Sequence, residues 1–406
     1  MNILVLNCGS SSVKYQLIEM KDETRLTKGV VEKIGGKDAI FSYQLKNGQS
    51  FKEVHAIFDH VEALNLILRS LTDPHNEILN DISEIAAVGH RVVHGGEKFT
   101  ESVIVDESVM AEIRECIELA PLHNPANLQG INVSKKVMQN VPQVAVFDTA
   151  FHHSMPESAY IYGLPYVFYT RYKIRRYGFH GTSHRYVSER AVELLGKPLK
   201  SVKLITCHLG NGSSITAIKN GKSVDTSMGF TPLEGLLMGT RSGDIDPAIL
   251  LYIMTKDDLS VYETNSMLNK HSGLLGISGI TNDVRELYEK MQDKDTRATL
   301  ALNIMTYRLK KYICSYMGTV EGADAIVFTA GIGENSSYIR EKALEGLEFM
   351  GIQLDKKKNK AVSGETEIST KNSKVKIYVI PTNEELVIAR DTALIVKKER
   401  KAKKIK

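Results

Sequence analysis

The stretch ILVLNCGSSSVKYQLI, residues 3–18, is matched later in the chain by LITCHLGNGSSITAI, residues 204–218. Each reads as an apolar strand, a Gly/Ser turn containing Asn, and a second strand of alternating pattern. Either copy alone could be an ordinary β-hairpin. Two copies with the same grammar favour a duplication, and with it two similar domains facing one another across a cleft lined by both turns.

Working outward, short β-branched runs alternate with longer amphipathic stretches. Strands are expected at Ile3–Leu6, Ile85–Val88, Val144–Phe147, Val202–Cys207, Ile326–Thr329 and Val375–Ile380. Helices are expected at Val61–Leu71, Val109–Ala120, Tyr186–Leu195, Arg297–Met317 and Glu384–Lys397. That alternation is the signature of the α/β class. A chain of 406 residues suggests two domains, and with no low-complexity linker the boundary must be tight.

Composition excludes several function classes. Apolar residues make up 42 % and charged residues 25 %, the balance of an ordinary soluble globular protein. The net charge of +4 is concentrated in the last ten residues, 397–406, which alone carry +6 and leave the body at −2. The body is therefore no nucleic-acid surface, and the tail reads as a solvated terminus. Cys8, Cys116, Cys207 and Cys314 lie far apart with no C-x-x-C pair, which argues against a zinc site or disulfide framework and for a reducing compartment. No signal peptide and no membrane-length apolar run is present, so a cytoplasmic protein without membrane partners is expected.

The two turns, Asn7–Ser12 with Lys14 beyond and His208–Ser214, suit phosphate: small residues let several backbone N–H groups converge on one anion. Neither is a Walker A loop, and neither leads into a helix as a dinucleotide fingerprint does. A strand–turn–strand phosphate loop used twice resembles the actin-like ATPase superfamily. A third glycine site, Ala330–Ser336, follows a strand; it could pack against a nucleobase or ribose, or be a capped β–turn–helix junction. His90/His94 and His180/His184 have an i, i+4 spacing that could hold zinc, but both pairs contain or abut glycines unsuited to a helix.

The resemblance then becomes specific. Asn7 to Lys14, Gly89 to Gly96, Ala120 to Pro125, Phe147 to His152, Gly178 to His184, His208 to Ser214, Gly239 to Asp244, Asp283 to Arg285, Ala330 to Asn335 and Pro381 to Glu385 resemble, in order, the motifs of acetate kinases. The resemblance implies two similar domains of the actin-like ATPase (ribonuclease H-like) fold around a central cleft. Residues 1–149 with about 384–406 would be the acid-substrate and phosphate side, and 150–383 the nucleotide side. It implies transfer of the ATP γ-phosphoryl to acetate, giving acetyl phosphate and ADP, with Mg2+ (or Mn2+) as metal and a homodimer as the assembly. Propionate and butyrate kinases share that chemistry; a non-kinase nucleotide-binding protein is the distant alternative.

The site residues follow from the same resemblance. A lone loop arginine is usually a surface ion pair, but here the family implies that Arg91 holds the substrate carboxylate and Arg241 the transferring phosphoryl, each from a glycine-flanked turn. His180 is implied as a donor to the γ-phosphoryl. Asp148, directly after a strand, is expected to organise the metal and its waters, because the acid nucleophile is already ionised at neutral pH and needs no base. Asn7 and Glu384 complete the metal environment, Asn383 capping the helix that carries Glu384. Val93, Leu122, Phe179 and Pro232 are implied as the acid pocket, with His123 in support. Lys14, the loop His208, Leu209, Gly210, Asn211 and Gly212, the loop Asp283, Val284 and Arg285, and Gly331, Ile332, Gly333, Glu334 and Asn335 are implied to hold the nucleotide.

Overall fold

The computed structural model describes residues 1–121 and 123–405. The chain forms two compact units, Met1–Ala150 with Asn383–Lys406 and Phe151–Thr382.

The first unit is built on one sheet of β1 (Asn2–Cys8), β2 (Ser12–Glu19), β3 (Thr24–Glu32), β4 (Gly36–Leu45), β5 (Ser50–Ile57), β6 (Ile85–Val92), β7 (Val103–Ile104) and β8 (Gln143–Phe147), in the order β5-β4-β3-β2-β1-β6-β8-β7. β1 to β5 form an antiparallel meander, while β1, β6 and β8 run parallel. Such a parallel centre must be covered on both faces, so its residues are apolar on both: every residue of β8 is buried. Asp59 starts the covering helix His60–Leu71 by accepting a hydrogen bond from the Glu62 N–H at 2.8 Å.

The second unit repeats the plan. β9 (Lys203–Leu209), β10 (Ser213–Lys219), β11 (Lys222–Thr226), β12 (Ala325–Thr329), β13 (Thr366–Glu367) and β14 (Lys376–Val379) assemble as β11-β10-β9-β12-β14-β13. Three antiparallel strands are followed by two parallel ones, as in β3-β2-β1-β6-β8 of the first unit. The two glycine turns occupy the same place in each plan, closing the hairpins β1–β2 and β9–β10, with Cys8 paired to Val13 and Leu209 to Ser213. The internal repeat is thus a repeat of topology as well as of motif.

Several local expectations differ from the structure. β3, β4 and β5 escape the periodicity reading because their outward faces are polar and their chain is interrupted by tight turns. The helix Asn124–Val137 escapes it too, since it buries Asn124, Asn127 and Ser134 where an apolar stripe would be looked for. Arg91 stands near the end of β6, not in a turn. The segment Ala330–Asn335 is a short helix, and the turn is compressed into Ala330 itself, whose φ is +64°. Gly181 does not prevent a helix: Gly181–Leu195 starts there, with His180 at its N-cap and His184 inside it. The helix expected to end at Ala120 stops at Glu115, and the last helix runs from Glu384 to Ile405, through most of the basic tail.

That last helix returns to the first unit, and a glycine sets how closely it lies. A Cβ on Gly89 of β6 would come within 2.5 Å of Thr392 Oγ1 and 2.6 Å of Ile388 Cγ2. Gly89→Ala should therefore lift the helix, costing about 1–3 kcal/mol as overpacking does. The expected outcome is a lower thermal unfolding temperature and faster protease cleavage within 383–406. An unchanged melting curve and digestion pattern would contradict this packing.

Candidate functional site

In the first unit the β1–β2 turn is held from three directions. The Gly9 N–H donates to the Ser12 carbonyl at 2.8 Å, and His60 Nε2 lies 2.8 Å from the Gly9 carbonyl. Asn127 donates from Nδ2 to the Cys8 carbonyl at 2.9 Å and accepts from the Val93 N–H at 3.0 Å, tying the turn to the segment after β6. Helix and turn are close: a Cβ on Gly130 would stand 2.3 Å from Cys8 Sγ. Asn7 and Lys14 face each other across this hairpin, with the Lys14 side chain exposed.

Arg91 and Asp148 come from neighbouring parallel strands and meet. Arg91 Nη2 donates to Asp148 Oδ2 at 2.6 Å and Nε lies 3.1 Å from both carboxylate oxygens; Glu384 Oε2 is 3.9 Å from Nε. Asp148 is only 1 % exposed. Burial pushes its carboxyl up, against the pull of the Arg91 charge, while Asp148 and Glu384 together hold the Arg91 guanidinium charged against its own desolvation. Among the described residues Arg91 Nη1 has no acceptor, so one arm of the fork remains for a ligand. Asn383 caps the last helix by accepting from the Leu386 N–H at 3.1 Å, which places Glu384 in its first turn. Val93 is buried, His123 stands at the N-cap of Asn124–Val137, and Leu122 lies outside the described residues.

In the second unit the β9–β10 turn closes through the Gly210 N–H and Gly212 carbonyl at 3.1 Å, and Ser213 Oγ donates to the Gly210 carbonyl at 3.0 Å. A Cβ on Gly212 would lie 3.2 Å from Arg241 Nη1 and 3.6 Å from His180 Nε2, so both side chains converge on the turn. The His180 ring stacks on that of His208 with centroids 4.1 Å apart, and its Nδ1 is 2.9 Å from Ser214 Oγ. Its φ of +58° is a conformation that few residues other than glycine adopt. Phe179, before it, is buried, and its carbonyl accepts from His152 Nε2 at 2.9 Å.

Arg241 donates from Nη1 to the Pro232 carbonyl at 3.0 Å. No carboxylate pairs with it among the described residues, and burial pulls its affinity for the proton below the usual range of arginine. Its loop is braced: Asp244 accepts from the Gly235 N–H at 2.8 Å and from Tyr312 Oη at 2.6 Å. A half-buried cation whose partners among the described residues are neutral is a ready receptor for an anion.

A cavity of about 980 Å³ lies in the same unit, lined by Gly210 and Asn211, by Asp283, Val284 and Arg285, and by Gly331, Ile332 and Asn335. Three segments picked out as nucleotide loops thus share one pocket. Asp283 caps the helix Val284–Gln292 and forks onto Arg285. Gly333 and Glu334 do not line the cavity: Arg340 holds both their carbonyls at 2.8 and 2.9 Å, and Glu334 Oε1 accepts from the Thr382 N–H at 3.2 Å. Tyr288 and Tyr338 line the cavity unforeseen; an aromatic on an amphipathic helix carries no signal of its own. Asn282, also missed, donates to Asn211 Oδ1 at 2.8 Å. The zinc candidates do not form a site among the described residues, where no three ligating side chains gather; His90 Nε2 instead lies 2.7 Å from Gln143 Oε1.

Comparison with known proteins agrees with these motifs. The model of the acetokinase family matches residues 2–390. A protein named acetate kinase from Thermoanaerobacterium thermosaccharolyticum is 58 % identical over 98 % of this chain and 99 % of its own, and one from Halothermothrix orenii is 57 % identical over 98 % and 100 %. Among solved structures, Porphyromonas gingivalis acetate kinase superposes with a TM-score of 0.93 at 48 % identity, covering 97 % of this chain and 99 % of that one. A propionate kinase from Francisella tularensis superposes with a TM-score of 0.91 at 44 % identity, over 97 % and 99 %. The chain belongs to the acetokinase family and has its two-domain actin-like ATPase fold.

Proposed function

We propose that this chain transfers the γ-phosphoryl of ATP to acetate, reversibly, giving acetyl phosphate and ADP. The observation that carries the reading is Arg241, a half-buried guanidinium without a carboxylate partner among the described residues, set with His180 at the Gly212 turn. Phosphoryl transfer is mostly positioning and charge neutralisation on the equatorial oxygens, and that pair is suited to it. The cavity beside the turn is of nucleotide size and takes the adenosine side of ATP. The β1–β2 turn with Lys14, and Arg91 with its open Nη1, take the phosphate and the acid in the first unit. For the acid we assign Val93, Leu122, Phe179 and Pro232, with His123 in support, on the strength of the family motifs alone.

Asp148 orients Arg91, and the acid attacks in line without a base because it is already ionised. Mg2+ is the metal of the reading. The chain offers two carboxylates and an amide, Asp148, Glu384 and Asn7, with no dense acidic cage among the described residues, and that suits a hard cation held largely by water and phosphate. When bound, the metal neutralises phosphate oxygens. Four free cysteines are consistent with a reducing cytoplasm. No helix among the described residues is long and apolar enough to cross a membrane. The helices Pro247–Lys256 and Val261–Lys270 expose Leu251, Tyr252, Val261 and Tyr262, which supports a homodimer; sedimentation equilibrium at micromolar concentration tests it.

The direct test traps the acyl phosphate with hydroxylamine: no hydroxamate from acetate and MgATP would refute the reading. The likeness to a propionate kinase favours propionate as second acceptor, since an apolar pocket separates one methylene by only about 1–3 kcal/mol. Relative kcat/KM along the acid series measures that preference.

Arg241→Ala is expected to lower kcat about 10²- to 10³-fold, as loss of a transition-state donor does, and Arg91→Ala also to raise KM for acetate. Glu384→Ala should lose more activity than Glu385→Ala in the same assay. Because burial raises the Asp148 carboxyl, the carboxylate protonates and releases Arg91 at a pH above the ordinary value of 3.8. Activity should therefore fall toward acid on a limb lying above that value. It is measured from acetyl phosphate and ADP, so that acetate does not itself titrate. A limb at or below pH 3.8 would show that Asp148 does not control activity.

A further inference from the structure

Beneath His180 lies a file of fully buried polar groups. His180 Nδ1 is 2.9 Å from Ser214 Oγ, Ser214 Oγ is 2.7 Å from His184 Nε2, and His184 Nδ1 is 2.7 Å from Thr206 Oγ1. Ser214, His184 and Thr206 are each 0 % exposed. They come from β10, the helix Gly181–Leu195 and β9, elements whose backbones are fixed by the sheet and its covering helix.

We propose that Thr206, His184 and Ser214 form a one-way hydrogen-bond relay that holds His180 in its Nε2–H tautomer, with the proton on the nitrogen that faces Gly212 and Arg241. The proposal rests on the reading of His180 as a donor to the phosphoryl group. A file of this kind can run in either of two senses, and its far end decides which. Thr206 has one hydroxyl hydrogen, and among the described residues its only partner is His184. If His184 Nδ1 carried the proton, the Thr206 hydrogen would be orphaned in a dry interior. If Thr206 donates, only lone pairs go unused, and an unsatisfied buried donor is the rarer and costlier defect.

The rest follows by elimination. His184 is neutral, because burial and the neighbouring His152 and His208 rings drive its pKa well below 6.5, so it has a single ring proton. With Nδ1 accepting from Thr206, that proton is on Nε2 and is donated to Ser214 Oγ. Ser214 must then turn its own hydrogen to His180 Nδ1, so that the single proton of the neutral ring form of His180 is on Nε2. No proton travels along the file. The charged and titratable groups facing His180 include Arg241 across Gly212, the stacked His208, and His184 through Ser214. Thr206, His184 and Ser214 are positioning residues; His180 alone would touch the ligand.

The test uses the full chain labelled with 15N-histidine, with His180 assigned by its loss in His180→Gln. Long-range 1H–15N correlation of the wild type should show His180 and His184 each protonated on Nε2 only. Ser214→Ala should turn His180 into a tautomer mixture and lower kcat at least about tenfold, with KM values within about twofold. The pair Thr206→Val and Thr206→Ser separates the relay from packing: Val keeps the shape and Ser keeps the hydroxyl, so Ser should retain the larger kcat. A proton on His180 Nδ1, or Val outperforming Ser, would overturn the relay even if acetyl hydroxamate forms. A wild type that forms none would instead refute the kinase reading and leave the tautomers to decide the relay.

Discussion

A strand that reverses direction within three residues leaves little room for a side chain facing its neighbours, and the second unit is organised around that constraint at Gly212. At Gly212 the space a Cβ would need is bordered by Arg241 and His180, so the smallness of the turn and the approach of its two catalytic candidates are one requirement. The first unit uses the same hairpin with different neighbours. There the turn is clasped by His60 and Asn127, and the helix behind it comes so near that Gly130 has no space for a methyl group. Small residues at these turns serve closeness more than flexibility.

The two arginines show how one chain handles half-buried positive charge in two ways. Arg91 is forked onto Asp148, which fixes the plane of the guanidinium and leaves Nη1 as its outward arm. Arg241 has the Pro232 carbonyl and, among the described residues, no acid. A desolvated guanidinium stabilised only by a neutral carbonyl stays destabilised until an anion arrives, and the braced loop around Asp244 keeps it from swinging out to water. On the proposed function, Arg91 would be oriented in advance of its ligand, while Arg241 would gain most from binding one.

How much of this was legible in the sequence depends on which contacts are local. The two hairpins were legible because strand, turn and strand lie within sixteen letters, and the topology of both sheets grew from them. Asn383 and Glu384 were legible as residues at a helix start for the same reason. Asn127 was not: it joins Cys8 to Val93 from the buried face of a helix, and nothing near it in the chain reveals either partner. The placement of Arg91 in a strand, and of Ala330–Asn335 in a helix, turned on long-range pairing that local glycines misrepresent. Gly333 and Glu334 belonged to the right motif but serve the helix held by Arg340 instead of the cavity.

On the proposed function, Asp148 puts a carboxylate into a site whose nucleophile is also a carboxylate. Two such groups would repel if both faced the reacting phosphorus without compensation. In the first unit the Asp148 charge is spent on Arg91, at 2.6 Å, and is shielded from water almost completely. On the proposed function, the guanidinium offers the acid its Nη1, which has no acceptor among the described residues, so the acid would meet a cation where a bare aspartate would have met it with like charge. An acid that needs no deprotonation frees Asp148 from acting as a base. It can be sealed under the arginine it orients, and its raised carboxyl is the consequence of that burial.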